Sequence, residues 1–60
     1  MMKIFKSADR VPRMVAININ NITKIIKCDH FTMIFMVDAT SVEVAETFEE
    51  VIEKINSWKK

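Results

Sequence analysis

The chain has 60 residues, half of them apolar, with a net charge of +1, one cysteine and no glycine. Its length allows one domain, 1–60, and a chain this short buries only about 60% of the surface its unfolded form exposes. Cys28 alone excludes an internal disulfide, and with the single histidine, His30, it cannot complete a structural zinc site. Self-association is the remedy left for so thin a stability margin.

Charge is unevenly spread. Residues 1–30 carry six Lys/Arg against two Asp, and residues 31–60 carry three Lys against six Asp/Glu. Such a split can help subunits meet in a preferred orientation, although an acidic helix following basic strands accounts for it more simply. The N-terminus, Met1-Met2-Lys3-Ile4-Phe5-Lys6, lacks the apolar core of a signal peptide, and no run is long enough to span a membrane. With a lone thiol, the expected setting is a reducing cytoplasm, bacterial or phage-infected.

In chain order, residues 2–6 read as a first strand. Residues 7–12 are a polar connection in which Pro12 keeps Val11 extended. Residues 13–19 alternate, with Val15, Ile17 and Ile19 on one side and Met14, Ala16 and Asn18 on the other. Asn18, Asn20 and Asn21 mark a bend, because asparagine bonds its own main chain. Residues 22–27 resume as a strand, Cys28-Asp29-His30 turns, and 31–37 form the central strand. Asp38–Ser41 turns into a short strand, 42–45. Without glycine, these turns are expected to be loose type I turns rather than tight primed hairpins.

The period then changes. Phe48, Val51, Ile52, Ile55 and Trp58 share one face of a helix over about 47–58. Thr47 and Glu50 have capping-box spacing, and Glu46, Glu49 and Glu50 favour the positive end of the helix dipole, with Lys59 and Lys60 at the other. Alone, so short a helix is marginal, so its apolar face must dock on the sheet. The fold class is α+β: a small antiparallel β-meander of four to five strands with one C-terminal amphipathic helix.

Six of the seven residues from Phe31 to Val37 are apolar, so both faces of this strand need cover. The expectation is that Phe31, Met33, Phe35 and Val37 lie under the helix. Thr32, Ile34 and Met36 then face away, with Met14 and Ala16 extending the patch. That second face is covered either by a curled sheet closing into a partial barrel or by another subunit, which makes Met14, Ala16, Thr32, Ile34 and Met36 the candidate interface.

Little points to chemistry. Cys28, Asp29 and His30 are adjacent turn residues, which seldom aim a thiol and an imidazole at each other across a pocket. No catalytic residue, metal ligand or cofactor is therefore assigned. Arg10, Arg13, Lys24 and Lys27 could hold a small anionic ligand such as a nucleotide, since arginine suits phosphate, but no glycine-rich phosphate loop accompanies them. Nucleic acid is not expected as a partner, because aromatic residues do not interleave with the cations.

Two stretches carry a family resemblance: VAININNITKII, and TMIFMVDATSVEVAETFEEVIEKI. Together they resemble the FlbD-like family of short bacterial proteins linked to flagella and swarming. That family has a strand, an (I/L)N-x-x-x-I bend, a hairpin and a V-x-E-S-x-E-E-V-x-E-K-I helix. The resemblance implies the same strand-meander-plus-helix plan. This chain departs from it in lacking the glycine hairpin between the last strands and in its N-terminal connection. The expected function is a non-enzymatic, self-associating module acting through protein–protein contacts. The alternative is an oligomer that binds a small anionic ligand at its subunit interfaces.

Overall fold

The computed structural model describes residues 1–57. Five antiparallel strands form two sheets, followed by one helix, so the fold is α+β. β1 (Met2–Lys6) and β2 (Met14–Asn18) make a two-stranded ribbon in which Ile4 lies opposite Ala16. A 3₁₀ turn, Ile19–Asn21, follows, and Asn18 caps it by accepting the Asn20 amide on its side chain. The asparagine cluster thus makes the expected bend. β3 (Ile22–Lys27), β4 (Thr32–Met36) and β5 (Ser41–Val44) form the second sheet, a meander with β4 in the middle.

The two sheets meet at one corner and do not close into a barrel among the described residues. Ser7 bridges to Val44, the Ala8 amide donates to the Glu43 carbonyl, and the Ala45 amide donates to the Lys6 carbonyl. The helix α1 (Phe48–Asn56) crosses from β3 to β1. Glu49 reaches Lys27 at 3.4 Å at one end, and Ser57 accepts from Lys3 at 3.2 Å at the other. Thr47 and Glu50 form the capping box, each bonding the other's amide. The expected continuation of the helix to Trp58 lies outside the described residues.

The core is a small cluster from all three layers: Phe5 and Ile17 of the ribbon, Ile34 and Val44 of the meander, and Val51 of the helix. The register shows why. Ile34 lies opposite Ile25 on one side and Val42 on the other, so these three share the inner face. Thr32, opposite Val44, is also inside, and its hydroxyl donates to the Glu46 carbonyl at 2.8 Å, tying the segment before the helix to the sheet.

The central strand is therefore turned over relative to the sequence expectation. Ile34 is 0% and Thr32 1% exposed, and Met36 packs against the core, whereas Val37 is largely exposed. Met33 and Phe35 lie on the outer face opposite Glu43 and Ser41. Phe35 gains cover from its β3 neighbour: the Lys24 ammonium sits 4.8 Å from its ring centre. Thr32 and Ile34 are interior residues and drop out of the candidate interface, and Met36 turns its half-buried side chain toward the same core.

Candidate interaction surface

The remaining members of that set, Met14 and Ala16, do face outward, and β1 supplies two more residues. In β1, Lys3, Phe5 and Ser7 alternate with Met2, Ile4 and Lys6, and burial of Phe5 and Ser7 sends the second set out. Across the ribbon, Ile4 is opposite Ala16 and Lys6 opposite Met14. One face thus carries Met2, Ile4, Met14 and Ala16, with the three larger side chains 57%, 46% and 72% exposed. No carboxylate lies on this face, and Lys6 stands at its end. The period-two pattern of residues 2–6 could have placed Met2 and Ile4 here.

The ribbon has two long edges, and they are treated differently. On the β1 edge the Lys6 amide donates to both Glu46 carboxylate oxygens at 3.2 and 3.0 Å, and Lys54 donates to the Ile4 carbonyl at 2.6 Å. Glu46 and Lys54 also pair with each other at 3.2 Å, and the Lys54 ammonium lies 4.7 Å from the Phe5 ring centre. The two side chains stand in for a neighbouring strand. The β2 edge has no such cover. Ser7 donates to the Arg13 carbonyl and Ile19 to the Met1 carbonyl, so the odd-numbered residues of β2 address β1. The main-chain groups of Met14 and Ala16 and the Asn18 amide point the other way, and among the described residues they have no main-chain partner, whereas the Asn18 carbonyl opens the 3₁₀ turn.

No protein-family model, curated protein or solved structure matches this chain. What it does must be read from its own surfaces.

The four proposed anion ligands are not brought together. Arg13 pairs with Asp9 at 2.9 Å and lines a cleft of about 370 Å³ with Ser7 and Glu43. Hydrogen bonding from Arg13 holds the Asp9 carboxyl below its usual value. Lys24 covers Phe35, while Lys27 reaches Glu49, whose carboxyl is lowered first by its own amide and then by Lys27. Arg10 is exposed in the connection between β1 and β2. Three of these four cations thus have separate partners on different parts of the surface.

Cys28, Asp29 and His30 line a cleft of about 260 Å³ between the β3–β4 turn and the start of the helix, beside Phe48 and Glu49. Cys28 is half-buried and the other two are exposed. No hydrogen bond links the thiol to the imidazole among the described residues, nor do three or more His, Cys, Asp or Glu converge there as metal ligands. No described helix is long and apolar enough to cross a membrane. Trp58, the expected helix anchor, lies outside the described residues.

Proposed function

We propose that this protein is a non-enzymatic, self-associating interaction module that works through protein–protein contacts on the outer face of its β1–β2 ribbon. The observation that carries this reading is the cluster of Met2, Ile4, Met14 and Ala16, three of whose side chains stand well out of the protein on one face. A domain of 60 residues gains from covering such a face. Methionine suits the task because its flexible, polarisable side chain adapts to a partner. The lone half-buried thiol is in keeping with a bacterial or phage-infected cytoplasm as the setting. The resemblance to FlbD-like proteins is in keeping with the strand-and-helix plan.

Light scattering on the purified chain tests the reading. The expected mass is at least twice that of the monomer, and Met14→Glu lowers it while leaving the circular dichroism spectrum unchanged. A monomer at every concentration up to the solubility limit would end the self-association claim.

A further inference from the structure

We propose that the partner is a second copy of the chain, joined edge to edge through β2, antiparallel, with Ala16 opposite Ala16 across a two-fold axis. This rests on the self-association reading above, places the contact between copies on the β2 edge bordering the outer face rather than on the face itself, and gives it a symmetry and a register.

The first support is the contrast between edges. Exposed strand edges invite pairing, and folded proteins blunt them with charges, bulges or cover. Here β1 is capped by Glu46 and Lys54. β3 has an irregular register between Ile22 and Lys24 and carries Lys24 and Lys27. β5 is engaged at its end by Lys6 and Ala8. β2 has none of these devices: Met14, Val15, Ala16, Ile17 and Asn18 include no lysine, proline or bulge.

The second support is what pairing does for the ribbon. A two-stranded sheet is marginal in water, and three or more strands with an apolar face are far better. Edge pairing of two copies gives a four-stranded sheet, β1-β2-β2-β1.

The third support is self-complementarity. The outward-pointing main-chain groups belong to Met14, Ala16 and Asn18. Centring the axis on Ala16 sets each Met14 opposite the other copy's Asn18, so the free groups of Met14 and Ala16 and the Asn18 amide all fall within the paired stretch, while the Asn18 carbonyl keeps its place in the 3₁₀ turn. The smallest side chain on the strand then sits at the axis, where two identical residues must fit side by side. The outer faces merge, so Met2, Ile4 and Met14 of both copies form one continuous apolar platform. The contact is isologous and closes at two copies.

Cross-linking reads the register. In a Cys28→Ser background, Ala16→Cys brings two thiols onto directly opposed residues, with Cα atoms about 5.5 Å apart, within disulfide reach. Met14→Cys leaves its thiols about 14 Å apart, because each faces residue 18 of the other copy. Mild oxidation is expected to convert most of the Ala16→Cys chain to a disulfide dimer and little of the Met14→Cys chain. Equal cross-linking of both, or preferential cross-linking of Met14→Cys, overturns the register.

Main-chain dependence is read with Ala16→Pro. The proline removes an amide that points away from β1, a position where an edge strand tolerates it. The expected result is a folded monomer with half the wild-type mass. If that variant unfolds, the cross-linking pair decides by itself. A folded Ala16→Pro that keeps the wild-type dimer mass overturns edge pairing but leaves self-association standing, whereas a monomeric wild type removes both.

Discussion

Ala39 shows how the chain turns without glycine. It is the one described non-glycine residue with positive φ, at 70°, the left-handed region where a Cβ is crowded. The β4–β5 connection leaves it little choice: the Met36 amide donates to the Thr40 carbonyl and the Ala39 amide returns to the Met36 carbonyl, at 2.9 and 3.1 Å. That is a three-residue hairpin loop closed by a left-handed residue, a position that glycine normally fills. Ala39→Gly should therefore stabilise the protein by about 0.5–1 kcal/mol, the relief of crowding outweighing the freer unfolded chain. Thermal unfolding would register this as a rise of a few degrees, and an unchanged or lower midpoint would show that the turn carries no strain. Asp38, beside it, gives the turn a pH dependence. Its carboxylate accepts from the Thr40 hydroxyl at 2.6 Å and the Thr40 amide at 3.1 Å, and these bonds hold its pKa below the usual value. A carboxyl with a depressed folded pKa contributes stability above its unfolded pKa and loses it as pH falls through the folded one. The loss should appear below about pH 4. Asp38→Asn keeps an acceptor and removes the proton equilibrium, so its midpoint should fall less steeply over that range than the wild type's. Parallel curves would mean that Asp38 plays no part.

Among the elements, β4 is the instructive case. Its existence was plain from sequence, because six apolar residues in seven leave little else. Its orientation was not, because both faces are apolar and the bulkier one looked like the core. The missing signal lay in β5, where Val42 and Val44 alternate with Ser41 and Glu43. Only one face of β5 can be inside, and the three-residue loop fixes which β4 residues share it. Reading that loop would have set Ile34 across from Val42 and Thr32 across from Val44, as observed. The helix was legible throughout its described length, since its cap and its apolar period are local signals. The Glu46–Lys54 clamp on β1 was invisible, because it joins β1 to residues 40 and 50 positions away through ordinary surface side chains, one before the helix and one on it. Its contribution is measurable. Hydrogen bonds to charged groups contribute about 1.5–3 kcal/mol each, and partial exposure of this pair reduces that. Glu46→Ala should cost about 1–2 kcal/mol in urea unfolding and speed exchange of the Lys6 amide, its partner on the strand edge. Glu53→Ala, exposed on the helix beside Lys54, should change neither. Equal effects from both would mean that the clamp is incidental.

For the molecule as a whole, the layers do unequal work. The core gathers two residues from each sheet and one from the helix, while Met2, Ile4 and Met14 remain in solvent. The candidate interface was half legible in the sequence for that reason. Strand alternation correctly sent Met14 and Ala16 outward. It could not reveal that Ile34 and Thr32 would be buried within the same chain, because their cover comes from distant segments. Substitutions at the two kinds of position should behave differently. Replacing Ile34 empties the core, whereas replacing Met14 touches only the exposed face. If the folded chain is in equilibrium with an assembly, mass action makes its apparent stability depend on concentration, because association draws on the folded state alone. The unfolding midpoint of the wild type should rise as protein concentration rises. For Met14→Glu it should stay level and meet the wild-type value at high dilution. A wild-type midpoint that stays level from high dilution to the solubility limit would mean that the folded chain does not associate. The exposed methionine face would then serve a partner other than the chain itself.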